Sequence, residues 1–236
     1  LEVVGLTRRF GSRAVVDGLT FEVAPGTVTG LLGPNGCGKS TTMKLLAGAL
    51  VASGGVARLD GVDLGVDNVA TKACTAFVPD VGGLFPRLTG REHLELAARM
   101  YQLRDWTERA VGLLEVLELA PAADERAGTY SHGMSRKLSA AIALLPPTRL
   151  LLLDEPFDGV DATGIDVLAA LFRERADAGS CVLVTTHLLG VAETLCDSVR
   201  LMFEGRLKAE ISGPELADLG TTYRAALGVA REDHGR

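Results

Sequence analysis

Apolar and polar residues alternate over Leu19–Val23, and the Pro25-Gly26 turn separates that stretch from the short apolar run Val28–Leu32. Period-two alternation and brief apolar runs bounded by turn residues predict strands. Leu1-Glu2-Val3-Val4, Val56–Leu59 and Cys74–Val78 read the same way. Between them, Thr41–Leu50 changes period: Met43, Leu46, Ala47 and Leu50 fall on one helical face. From Arg91 to Leu119 the spacing is helical throughout, first Leu94, Ala97, Ala98 and Tyr101, then Val111, Leu114, Val116 and Leu117, until Pro121 ends it. A third helix is predicted over Ser135–Leu145. The last third alternates: strands at Leu150–Leu153, Cys181–Thr185 and Val199–Phe203, helices at Ile165–Ala178 and Leu188–Cys196, then a polar, frayed end at Arg231–Arg236.

Strand–helix alternation argues for a parallel sheet covered by helices. The expected architecture is one α/β domain over residues 1–236. Residues 1–83 and 147–236 form its core, with an antiparallel β subdomain near the N-terminus, and residues 84–146 form an inserted helical subdomain.

Composition mainly excludes. With 236 residues, 47% hydrophobic and 23% charged, the chain has ample apolar material for a core. A net charge of −6 gives no electrostatic reason to expect a nucleic-acid partner. The cysteines at 37, 74, 181 and 196 form no C-x-x-C pair, so a reducing cytoplasm is expected rather than a disulfide framework or zinc site. No N-terminal leader is expected, because the chain opens as a strand. Pro146-Pro147 and Arg149 interrupt the longest apolar stretches, so a membrane role requires spanning helices from another polypeptide.

Gly33-Pro34-Asn35-Gly36-Cys37-Gly38-Lys39-Ser40 fits G-x-x-x-x-G-K-[ST], after a predicted strand and before a predicted helix. That is the phosphate loop of a P-loop NTPase. Glycines let the backbone curl so that N–H groups converge on phosphate, and the helix N-terminus adds its positive end. Lys39 neutralises the β- and γ-phosphates of ATP, Ser40 ligates Mg²⁺, and Asn35 and Thr41 complete the loop's contacts. Cys37 has two readings: a thiolate favoured by Lys39 and the helix terminus, or a buried, inert thiol.

The apolar run Leu150–Leu153 ends in Asp154-Glu155. A buried strand delivers such carboxylates to the sheet edge, where parallel-sheet ligands bind. Asp154 is expected to hold Mg²⁺ and Glu155 to act as general base on the attacking water.

Four further segments carry a resemblance. Tyr130-Ser131-His132-Gly133-Met134 resembles the ABC signature, Asp158-Gly159-Val160-Asp161 the D-loop, Thr185-Thr186-His187 the switch histidine, and Phe10-Gly11 the aromatic that stacks on adenine. Their order is that of an ABC transporter nucleotide-binding domain across nearly the whole chain. Phe85–Glu92 and Asp154–Asp161 look most like ATPase subunits of exporter-type systems. The resemblance implies that Ser131, Gly133 and Asp161 face ATP held by a second copy or a paralogous ATPase subunit. It implies that His187 contacts the γ-phosphate, and that a transmembrane permease docks the subunit on the inner face of the membrane. Asp80 stands at the Q-loop glutamine position and is expected near the metal. His132 and Met134 replace the commoner glycine and glutamine. A non-transport single-cassette ABC ATPase is the alternative. A switch GTPase or kinase leaves Ser131–Gly133 and Asp161 unexplained.

Overall fold

The computed structural model describes residues 1–65 and 69–232, so the expected polar end past Glu232 lies outside the described residues. The chain opens with the hairpin β1 (Glu2–Phe10) and β2 (Arg13–Glu22), then β3 (Val28–Leu32) and α1 (Lys39–Leu46). Next come β4 (Gly54–Leu59), β5 (Val62–Asp63), α2 (Val69–Ala73) and β6 (Thr75–Val78). Three helices follow: α3 (Gly90–Met100), α4 (Thr107–Val116) and α5 (His132–Leu144). The last third holds β7 (Leu150–Asp154), α6 (Ala162–Asp177), β8 (Cys181–Thr185), α7 (Leu189–Leu195), β9 (Ser198–Phe203), β10 (Arg206–Ser212) and α8 (Leu219–Glu232).

Two sheets result. The order β2-β1-β4-β5 is antiparallel throughout. The order β10-β9-β3-β8-β7-β6 is parallel except for the β9–β10 hairpin. In this second sheet β3 is central: Val28 pairs with Val182 on one side and Thr29 with Ser198 on the other. Parallel strands covered on both faces are apolar at every position. β7 shows how the faces divide. Leu151 and Leu153 enter a core with Leu94, Leu138, Leu168 and Phe172, whereas Leu150 and Leu152 meet Leu31, Met43, Leu183 and residues of the antiparallel sheet. Each fully buried leucine contributes about 1.5–3 kcal/mol.

Local chemistry sets the boundaries. α3 starts at a capping box: Thr89 Oγ1 accepts from Glu92 N while Glu92 Oε2 accepts from Thr89 N. Left-handed Gln102 and Asp105 separate α3 from α4. Within α4 the core is filled by Ala110, Leu113 and Leu114, and Val111 and Val116 face outward, contrary to their expected place on the apolar face. α1 ends four residues before the expected Leu50, with Gly48 at φ 66. β10 was not expected, although Leu207, Ala209 and Ile211 alternate with polar residues; of its seven residues Ile211 alone is fully buried.

Candidate active site

The loop between β3 and α1 is shaped by close backbone approach. A Cβ on Gly33 would overlap the Met202 carbonyl oxygen, and one on Gly38 would lie 2.5 Å from the Val15 carbonyl oxygen. Gly38, at φ 113, is also the N-cap of α1. Lys39 is buried and curls back over the loop, its Nζ donating to the Gly33 carbonyl at 2.7 Å and more weakly to that of Pro34 at 3.4 Å. Asn35, Gly36, Gly38, Lys39, Ser40 and Thr41 form one wall of an open cleft of about 520 Å³, and Arg13, Val15, Asp80 and Glu155 complete it.

Cys37 turns the other way. Its side chain is buried in the core with Met43 and Met202, and its thiol is pushed up by burial more than Lys39 pulls it down. Of the two readings of Cys37, burial favours the inert thiol, and Cys37 does not line the cleft.

Register carries the acidic groups to the same edge. Asp154 and Thr185 are partners across β7 and β8. Thr185 Oγ1 donates to Asp154 Oδ1 at 2.8 Å and accepts from the Glu155 backbone N–H at 2.9 Å, so one hydroxyl orients both acids. Asp154 is fully buried, and burial raises its carboxyl above the usual carboxylate range, opposed by the hydrogen bond from Thr185 and by the nearby Ser40 hydroxyl. Its second oxygen, Oδ2, has no partner. A buried carboxylate oxygen left open beside a serine hydroxyl suits a hard, oxygen-seeking divalent ion. The donor set thus fits Mg²⁺, with Ser40 and Asp154 as its holders. Mg²⁺ there would neutralise charge on the phosphates.

Glu155 sits at φ 50, a left-handed conformation that costs a non-glycine residue about 1–3 kcal/mol. The kink aims its side chain into the cleft, where Oε2 accepts from the His187 backbone N–H at 3.2 Å and lies 3.0 Å from His187 Nδ1. Donation from Nδ1 leaves Nε2 as the free ring nitrogen.

Other expected residues lie apart. Phe10 is half-exposed at the end of the β1–β2 hairpin, with the Arg8 guanidinium 4.6 Å from its ring centroid, and it does not line the cleft. Ser131 caps α5, accepting from Met134 N at 3.1 Å, and Asp161 caps α6, accepting from Gly164 N at 2.7 Å. Neither these two nor Gly133 contributes to the cleft wall. Asp80 does, but its carboxylate is held by Arg136 at 3.0 Å. The buried Arg136 also donates to the Pro79 and Asp80 carbonyls. Arg13, Val15 and Arg136 were not read from the sequence. Arg136 had one available signal, a charged residue at the start of the predicted helix Ser135–Leu145, five residues past Ser131.

The sequence profile described as "ABC transporter" matches residues 16–158. The chain belongs to the ABC transporter family. This cassette is 35% identical over 218 residues to the Nod factor export ATP-binding protein I of Ralstonia nicotianae, covering 92% of the chain and 68% of that relative. It is 36% identical over 218 residues to the daunorubicin/doxorubicin resistance ATP-binding protein DrrA of Streptomyces peucetius, covering 92% of the chain and 66% of DrrA. A solved structure described as the ATP-binding subunit of an ABC transporter matches with a TM-score of 0.87 at 30% identity, over 94% of the cassette and 98% of that chain. The cassette is thus an ATP-binding ATPase that drives transport, as its motif order implied.

Proposed function

We propose that this cassette powers export through a separate membrane permease by ATP-dependent pairing with a second cassette, either another copy or a paralogue. The supporting observation is the division of the site. The phosphate loop, Asp154, Glu155 and His187 stand together at the strand ends, while the capped N-terminus of α5, with Ser131 and Gly133, lies outside that cleft. A helix N-terminus offers N–H groups to an anion, and here that anion is the γ-phosphate of a facing cassette. Export follows the relatives' names.

In this reading the loop backbone and Lys39 hold the phosphates, and Ser40 and Asp154 hold Mg²⁺. Glu155 takes the proton of the attacking water, and His187 and the partner's signature steady the developing charge. Phe10 and its hairpin stack on the adenine. The permease docks at the groove of about 270 Å³ between the Asp80–Pro86 loop and α5, beside the exposed Val81 and Phe85. Among the described residues no helix is long and apolar enough to cross a membrane, so the bilayer-spanning part falls to the permease. The working place of such a subunit is the cytoplasmic face of the membrane.

The test is sedimentation of Glu155→Gln with and without MgATP, together with ATPase assays of the unmodified cassette with and without its permease in vesicles. ATP-dependent pairing and permease-stimulated turnover are expected. A monomer in saturating ATP overturns the pairing.

A further inference from the structure

His132 stands beside the signature serine and does not serve the cleft. Its Nε2 lies 2.9 Å from Asp158 Oδ2 in the D-loop. The imidazole rests on the backbone of Gly159, at φ 70, where a Cβ would overlap His132 Cδ2. One position along, a Cβ on Gly133 would come within 2.6 Å of the Gly159 carbonyl oxygen. The two loops therefore touch backbone to backbone, with the His132–Asp158 pair closing one side.

The D-loop is in turn hydrogen-bonded along its length. Asp158 N donates to the Glu155 carbonyl at 3.3 Å, Val160 N to that of Phe157 at 3.1 Å, and Asp161 caps α6. Asp158 lies three residues from Glu155, within the turn that the left-handed Glu155 begins. His132 also lines the groove that holds Asp80, Ser135 and Arg136.

We infer that His132 and Asp158 form a clasp that moves the signature turn and the D-loop as one piece, so that engagement of α5 by a facing cassette positions this chain's own Glu155. Both are positioning residues. The inference rests on the paired-cassette reading above. The side chains are 59% and 48% exposed, so the pair adds little to fold stability, and its effect lies in orientation. The loops meet over a small interface: with glycine at 133 and 159 the backbones are in contact, and a shift of one is transmitted to the other without slack.

The experiment is a double-mutant cycle of His132→Ala and Asp158→Ala. ATP-dependent dimerisation is measured by sedimentation in the Glu155→Gln background. In proteins retaining Glu155, kcat, KM and the Hill coefficient for ATP are measured. Each single substitution is expected to weaken pairing and lower kcat by about fivefold, the upper worth of an exposed ion pair. The double variant loses no more than either single one. The Hill coefficient falls towards one, and KM and the melting temperature stay unchanged. His132→Gln, whose amide N–H still reaches Asp158, recovers most of the loss. Additive losses, or none, overturn the clasp. If Glu155→Gln itself stays monomeric in ATP, the paired-cassette reading falls and the clasp with it. If it pairs while the cycle is additive, the clasp alone falls.

Discussion

The two half-sites of this cassette are built by opposite means. The phosphate loop is anchored in the core: Cys37 beneath it is buried, Gly33 abuts the Met202 carbonyl, and Asp154 is fully covered. The signature turn is held at the surface by two glycine contacts, one serine cap and one exposed pair. In the paired-cassette reading proposed above, the difference makes binding ATP and committing to hydrolysis separable. The first half-site is organised by the chain's own fold. The second, in that reading, is shaped for the phosphate of a facing cassette.

Glu155→Gln gives the largest expected effect on the first half-site, slowing hydrolysis on the order of 10²–10⁴-fold while retaining ATP binding. Phosphate release at saturating MgATP measures it, and unchanged turnover removes Glu155 from its role. Gly133→Ala attacks the second half-site. Its Cβ, 2.6 Å from the Gly159 carbonyl oxygen, pushes the signature turn off the D-loop. Misplacement of this size costs about 10²-fold in kcat. Fluorescent-nucleotide titration of the monomer should show no change, and a matching loss of affinity would erase the contrast between the half-sites.

Gly33→Ala sharpens the comparison from the core side. Overpacking against Met202 costs about 1–3 kcal/mol of stability, read by urea denaturation, and ATP binding goes with it. Acidity adds a fourth handle. Burial raises the Asp154 pKa, so its charged form is disfavoured in the folded state. Without metal, stability is present below the ordinary carboxylate range and declines as pH rises through the raised value. Melting temperatures against pH should show that decline, and excess Mg²⁺ should abolish it. A profile insensitive to Mg²⁺ would remove Asp154 as a metal holder. The smallest effect concerns thiols. Buried Cys37 and Cys196, the latter pushed up to about 12, should resist iodoacetamide, and the half-buried Cys74 should label first, with or without ATP. Rapid, ATP-protected labelling of Cys37 would restore the thiolate reading.

The legibility of these features follows from how local their causes are. The phosphate loop and Asp154-Glu155 were readable because glycine spacing and an apolar strand ending in acids are local patterns with one physical use. The parallel core was readable from its alternating periods. β10 was not read, although Leu207, Ala209 and Ile211 alternate with polar residues; it lies at the sheet edge, where Ile211 alone is fully buried. Arg13 and Val15 were missed because only the packing of β2 against Gly38 and the Gly205 turn brings them over a loop some twenty residues later. Cys37 was ambiguous because the sign of its shift depends on burial, and neighbouring letters do not report burial. Asp80 was placed near the cleft, but its ion pair with Arg136 spans 56 residues and leaves no local trace.

The central place of β3 has a consequence for synthesis. Its first residue leaves the ribosome ahead of its neighbours Val182 and Ser198, which follow roughly 150 or more residues later, some 10–30 s at ordinary elongation rates. The hairpin of β1 and β2 closes at once on the nascent chain. The apolar Val28–Leu32 must wait, without a partner on either edge, until Cys181–Thr185 and Ser198–Phe203 have been made. A transcript or ribosome that stops before Phe203 therefore releases a chain with this buried apolar strand short of a partner and the floor of its phosphate loop missing. Such fragments should be captured by chaperones or degraded, and never compete with intact subunits for ATP.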